Sequence, residues 1–422
     1  MWTDGGDGVQ GAVAAVFFSP DRTYPSKIES PYLARMHPGL EIAKTLARIG
    51  GHVVRERLTS TRATNAADIP VSGKEITTAW LTAVLGGEVT SFSTEDVSSG
   101  TSSRWRITVT YKETGRRTDL PTAFFVKTTR GFKQRLTLSL AHVLDGEPNF
   151  FEHLRPELDI EAARGFHGAA DLASGRSISL MEDIAASRGA TFCTPKTPIS
   201  RAEIEDLLSA MAHWHGRFWD SEELRGHGWL KPPSGHFDNL DRLIGFAKRC
   251  EVGAKRARSV IPDALIPLQD KLYRGLERSL TIASEGPLTL LHGDSHVGNT
   301  YRTSAGRMGF TDWQIVMRGS WAFDFAYTVN SGLDLANRRA WARELLEFYL
   351  ERLAEAGAQA PGADAAWLAY RRQSFFPYFV WLATIGHSAI QPKYQPDEVS
   401  LGIIERTGVA LLELDGLAAL EE

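Results

Sequence analysis

At 422 residues, with 43% hydrophobic and 23% charged side chains, the chain has the composition of a soluble globular protein too long for one typical core, so two or three domains are expected. A formal net charge of −4 supplies no general attraction for nucleic acid or for an anionic membrane, which excludes both as bulk electrostatic partners. Cys193 and Cys250 have no metal-ligand spacing, and so few thiols in so long a chain point to a reducing compartment.

Residues 1–75 read as an extension of unassigned role. Gly5, Gly6 and Gly8, followed by Pro20, Pro25 and Pro31, predict a loop-like start. The apolar stretch 11–18 is short and lacks a basic flank, so no secretory signal is expected. No apolar run reaches membrane-spanning length, and the cytoplasm is the expected location. Over 40–58, Leu40, Ala43, Leu46, Ala47, Val53 and Val54 predict an amphipathic helix, interrupted at Gly50-Gly51.

The pattern sharpens from Ile76. Residues 77–85 read as a capped helix stopped by Gly86-Gly87. Segments 89–97 and 103–111 read as strands; in the second, Trp105, Ile107, Val109 and Tyr111 alternate with Arg106, Thr108 and Thr110, the period of a half-buried strand. Between them lies Ser98-Ser99-Gly100-Thr101-Ser102-Ser103, either an ordinary hairpin turn or a turn whose backbone N–H groups and hydroxyls approach phosphate oxygens. A third strand, Ala123-Phe124-Phe125-Val126-Lys127, ends on a lysine, a residue rarely buried without a partner. It is either a snorkelling edge lysine or a phosphate contact. Segment 177–184 is an apolar strand whose end carries the acids Glu182 and Asp183. Beyond it the chain turns helical. Residues 200–219 carry Ile204, Leu207, Leu208, Met211 and His215 at helical spacing behind a Ser200 cap with Glu203 three residues on. Further helices are expected over 237–250, 264–283, 338–356 and 363–387, the last rich in aromatics.

The densest chemistry lies at Leu290-Leu291-His292-Gly293-Asp294-Ser295-His296-Val297-Gly298-Asn299, followed by Phe310-Thr311-Asp312-Trp313. Strands at 288–291 and 308–310, with the turn Ser304-Ala305-Gly306-Arg307 between them, would bring two carboxylates and a carboxamide to one mouth. That set suits phosphoryl transfer from a nucleotide, in which a base orients the nucleophile and hard oxygens hold divalent metal. A zinc reading of His292 and His296 is opposed by Gly293 and Gly298, which disfavour the helix that would align both rings.

The spacing His-x-Asp-x-x-x-x-Asn with a following strand-borne Asp resembles the kinase catalytic loop and its metal-binding Asp. With Gly293 after the histidine and Trp313-Gln314 after the second aspartate, the segment closely resembles the aminoglycoside phosphotransferase and choline kinase-like superfamily. The resemblance covers roughly 76–387. It implies an α+β, two-lobed protein kinase-like fold, with an antiparallel-sheet N-lobe over 76–184 that binds nucleotide. A mainly helical C-lobe over 185–422 would carry the catalytic loop and acceptor site. ATP and Mg2+ would be the cofactors. Asp294 would act on an acceptor hydroxyl with His292 orienting the loop, and Asn299 and Asp312 would hold metal. Lys127 would contact phosphate beside Gly100, Thr101 and Ser102, paired with Glu147 or, failing that, with Glu152. Glu182 and Ile184 would form the hinge edge that meets adenine, and Asp324 would support the catalytic loop. No Ala-Pro-Glu follows Asp312, which favours a hydroxylated small molecule over a protein acceptor. Superfamily members also phosphorylate hydroxyacyl thioesters, and a nucleotide-binding pseudokinase acting as a scaffold is the reading from another class.

Overall fold

The computed structural model describes residues 38–59, 62–113, 120–387 and 395–422. The loop-like start and the apolar stretch 11–18 lie outside them.

The architecture is α+β: an antiparallel sheet is followed by a mainly helical second lobe. Five strands, β1 (Val89–Ser99), β2 (Ser103–Tyr111), β3 (Ala123–Thr128), β4 (Gly165–Asp171) and β5 (Arg176–Glu182), form the sheet in the order β1-β2-β3-β5-β4. The alternation read in β2 decides its two faces. Trp105, Ile107 and Val109 join Phe124, Val126, Ile178 and Leu180 in one core, closed by Trp80 and Leu81 of helix Thr78–Leu85. That helix has the predicted ends: Thr77 Oγ1 accepts from Trp80 N–H, and Gly86 stops the helix at φ 68°. Phe125 and Met181, on the opposite face, pack against the second lobe. The cleft therefore lies under the sheet face that bears Phe125 and Lys127.

Helix Pro38–Leu58 is continuous through Gly50-Gly51, where an interruption was expected. An interior glycine weakens a helix by about 1 kcal/mol relative to alanine, but a helix held on both sides of it need not break. Here Ile42 and Ile49 are buried before the pair, and Glu56 beyond it binds Arg135 and Arg176.

In the second lobe, helix Arg201–Arg217 begins with the expected capping box of Ser200 and Glu203. The helix expected over 237–250 is instead two, Pro233–Ile244 and Phe246–Arg256, turned at Gly245 with φ 67°. The helix expected over 363–387 also divides, into Ala363–Arg372 and Phe375–Ile385. Pro377 explains the second break: within a continuous helix its ring would meet the carbonyl four residues back, so it sits in the first turn of a new one.

Short strands β6 (Thr191–Phe192), β7 (Thr289–Leu291), β8 (Thr300–Arg302), β9 (Met308–Phe310) and β10 (Met317–Gly319) form two small sheets, β6-β8-β9 and β7-β10. The strands expected at 288–291 and 308–310 exist but do not pair with each other. β9 pairs with β8 across the predicted turn, and β7 pairs with β10. Among the described residues no helix is long and apolar enough to cross a membrane.

Candidate active site

β7 ends at Leu291 and hands the chain to a loop whose shape is set by Asp324. This carboxylate, fully buried on helix Ala322–Gly332, accepts the N–H groups of His292 and Gly293, the latter at 3.0 Å. Gly293 has φ 79°, and a Cβ there would lie 2.0 Å from the Ile315 carbonyl oxygen. An arginine in this place, as protein kinases have, would not fit. His292 is fully buried; its Nε2–H donates to Thr311 O at 3.0 Å while Nδ1 accepts from Asp294 N–H at 3.3 Å. Burial lowers its pKa against the pull of Asp324 and Asp294, which keeps the ring neutral. His292 thus ties the 294 loop to the strand end that carries Asp312.

The loop returns Asn299 to Asp294. The Asn299 amide nitrogen donates to both the backbone oxygen and Oδ2 of Asp294, at 2.8 and 3.0 Å. Its carbonyl oxygen is thereby directed away from Asp294. His296 Nδ1 accepts from Gly298 N–H at 3.0 Å, and its Nε2 lies 3.7 Å from Asp294 Oδ2. Both histidines face backbone or carboxylate, and no group of three His, Cys, Asp or Glu able to hold a metal occurs among the described residues.

Asp312 follows β9 in the left-handed region, with φ 64° and ψ 63°. A non-glycine residue pays about 1–2 kcal/mol for this conformation, a strain common at functional sites. Its Oδ1 accepts from Lys127 Nζ at 2.8 Å, and Glu147 Oε1 accepts from the same ammonium at 2.7 Å. Lys127 and Glu147 are buried, whereas Asp312 keeps 31% of its side-chain surface exposed. Burial works to raise the Asp312 pKa, but the Lys127 ammonium overrides it and holds the carboxylate at about 2. Glu147 moves the other way, pushed up by burial and by the Asp312 charge despite Lys127.

Close packing fixes this arrangement. A Cβ on Gly146 would lie 2.4 Å from Gln314 O, and the Phe150 ring stacks on Trp313 at 4.0 Å. Pro148 lies in the first turn of helix Gly146–Asn149, which begins one residue before Glu147 and so takes Glu147 inside it. Glu152 faces elsewhere: its Oε2 accepts from Gly168 N–H on β4.

Gly100, Thr101 and Ser102 form the turn between β1 and β2, closed by Gly100 N–H to Ser102 O at 2.9 Å. Gln134 of helix Phe132–Leu140 fastens it by donating to Ser99 Oγ and Gly100 O. Ser102 is buried, and with Lys127, Glu147 and Leu144 it lines a small recess. The Glu182 carboxylate is engaged by Arg188 and Ser187 Oγ, and its backbone N–H donates to Arg164 O. Ile184 O accepts from Gly189 and Ala190 N–H.

Two further residues near the site, Phe125 and Tyr327, were not singled out by the sequence. Phe125, two residues before Lys127, shares its sheet face. Tyr327 faces Asp294, and its hydroxyl accepts from Trp381 Nε1–H at 3.0 Å. Strand periodicity places Phe125 beside Lys127, but no local pattern brings Tyr327 to Asp294 or Trp381 to Tyr327. His215 is fully buried against Tyr349 and Asp324, which makes it core and not pocket lining.

The phosphotransferase enzyme family model matches residues 116–367, more than half of the chain. The chain belongs to this family. Membership makes it a small-molecule phosphotransferase. No curated protein matches the chain. Among solved structures, a microcompartment-associated aminopropanol kinase is 15% identical, with a TM-score of 0.45 over 77% of this chain and 94% of that one. Choline kinase LicA from Streptococcus pneumoniae is 14% identical, with a TM-score of 0.42 over 77% and 94%. Macrolide 2'-phosphotransferase MphH from Brachybacterium faecium is 17% identical, with a TM-score of 0.40 over 78% and 95%. Likenesses at this level carry no argument about substrate.

Proposed function

We propose that the protein transfers the γ-phosphoryl group of ATP to a hydroxyl of a small molecule. The observation that carries this reading is the convergence of Asp294, Asn299 and the Lys127–Asp312 ion pair at one cleft, in a chain of the phosphotransferase family.

Each residue's chemistry follows from its contacts. Asp294, fixed by Asn299, orients the acceptor hydroxyl and takes its proton as the new oxygen–phosphorus bond forms and the bond to the β-phosphate bridging oxygen breaks, releasing ADP. Lys127, steadied by Glu147, holds phosphate oxygens. The donor set fits magnesium. Asn299 directs its amide nitrogen at Asp294, so its oxygen is the atom left to ligate, and Asp312 has an oxygen beyond the one that Lys127 binds. Magnesium, when bound, offsets the charge developing on the phosphate oxygens. Asp312 and Asn299 are the residues that would hold it. The wall beyond Asp294 includes His296, Tyr327 and Trp381, which suits an acceptor of mixed apolar and polar character.

The test is single-turnover phosphotransfer to a panel of hydroxylated small molecules, comparing the parent with Asp294→Asn. A positioned base typically contributes on the order of 10²–10⁴-fold, so the variant should lose that factor with little change in nucleotide affinity. Equal rates would remove Asp294 from the role. ATP binding with no transfer to any hydroxyl would favour a nucleotide-binding scaffold instead.

A further inference from the structure

Two arginines of β2 share the cleft face of the sheet with Lys127. Arg104, Arg106 and Thr108 alternate with the core residues Trp105, Ile107 and Val109, and Arg104 stands directly opposite Lys127 in the β2–β3 register. Side chains so placed have Cβ atoms about 5 Å apart. Arg106 is accounted for: its Nε–H donates to Asp183 Oδ2 at 2.7 Å and ties β2 to the end of β5. Arg104 differs. It is half-buried, and among the described residues no carboxylate pairs with its guanidinium and no acceptor takes a hydrogen bond from it. Its charge nevertheless acts on Lys127, Glu147 and Asp312. A Cβ on Gly100 would lie 4.0 Å from its Nη1, so the guanidinium sits between the Gly100 turn and the Lys127 ion pair.

Glu147 and Asp312 already hold the Lys127 ammonium, whereas the Arg104 guanidinium has no direct partner of its own among the described residues and keeps its donors free for an anion. A polyphosphate supplies that anion, and the planar fork of arginine matches two of its oxygens at once. We propose that Arg104 is a second phosphate-binding cation of the nucleotide site, reaching the β- and γ-phosphates from the Gly100 turn while Lys127 reaches them from β3. This rests on the nucleotide reading above and extends it to a residue that the catalytic motifs do not include.

Calorimetric binding of ATP, ADP and AMP in the presence of magnesium tests it, on the parent, Arg104→Gln and Arg130→Gln. Arg130 forms an exposed pair with Asp96, so its loss changes net charge equally without touching the cleft. Removing a charge-assisted contact should weaken ATP binding by about 10-fold or more, ADP less, and AMP little, with Arg130→Gln near the parent throughout. Thermal unfolding of each variant confirms the fold. Should Arg104→Gln fail to fold, Arg104→Met keeps the apolar stem and is judged by the same pattern. Unchanged ATP affinity in the Arg104 variant, or an equal loss for ATP and AMP, overturns the proposal. A parent that binds none of the three nucleotides overturns the nucleotide reading itself, which is a different result.

Discussion

Asp324 illustrates how a buried carboxylate shapes a loop without touching the reacting groups. It holds the consecutive N–H groups of His292 and Gly293, and Ser295 Oγ donates to its backbone oxygen at 3.1 Å. Asp324→Ala leaves both buried donors without an acceptor, each a loss of about 1–3 kcal/mol. The expected outcome is destabilisation of about 3–5 kcal/mol in chemical denaturation. Asp324→Asn should be milder, because one acceptor oxygen remains. A loss under about 1 kcal/mol for alanine would show that the loop holds itself. The candidate residues Asp294, Asn299, Lys127 and Asp312 could be named from the sequence because their order and spacing are local properties of the chain. Their partners could not. That Asn299 clasps Asp294 through its amide, or that Tyr327 reaches the same carboxylate while Trp381 donates to its hydroxyl, depends on loop paths and on helices that come together only in the folded chain. The same limit applies to Arg104: periodicity puts it on the face opposite Trp105, but only packing reveals that this face is the cleft.

At the scale of elements, helix Pro38–Leu58 reaches both lobes. Near its start Glu41 pairs with Arg242 at 2.6 Å, and near its end Glu56 pairs with Arg135 and Arg176. Burial alone would raise the Glu56 pKa, but its bonds to the two arginines override this and hold it at about 2, against an ordinary 4.5. A depressed carboxylate stabilises the fold fully above its unfolded value, and that contribution disappears as the pH falls through its folded value. The stability advantage of the parent over Glu56→Gln should therefore be constant above about pH 4.5 and shrink towards pH 2. Denaturation midpoints of both proteins across that window measure it; an advantage independent of pH would mean that Glu56 acts by packing. The sequence supported a helix here and misjudged its continuity, because glycine propensity is a weak prior where tertiary anchors lie on both sides. The split at Ser374 was the reverse case, in which aromatic periodicity obscured what Pro377 imposes. β7 and β9 were recognised by their apolar runs, yet their pairing was not, since strand partners are set by topology and not by sequence proximity.

On the scale of the whole molecule, the Lys127–Asp312 ion pair connects the sheet to the second lobe, and on the proposed function nucleotide binding should act on that connection. If Asp312 turns one oxygen to magnesium while Lys127 turns to phosphate, the direct contact is replaced by bonds that run through the nucleotide, and the lobes are held by a ligand that only the folded state can bind. Such a ligand adds about 2.7 kcal/mol at a free concentration 100 times its dissociation constant, enough to raise the unfolding temperature by a few degrees. Magnesium-ATP should thus stabilise the protein more than ATP with chelator, because without the metal the phosphates meet the Asp312 carboxylate unscreened. Asp312→Asn removes that charge and weakens the metal site together. It should erase the magnesium-dependent increment while leaving, or improving, the stabilisation by ATP alone. Thermal unfolding of both proteins under the four conditions (no ligand, magnesium, ATP, and magnesium with ATP) separates these effects. Equal shifts with and without magnesium in the parent would remove the metal from the site. A magnesium increment retained in Asp312→Asn would move it to ligands other than Asp312.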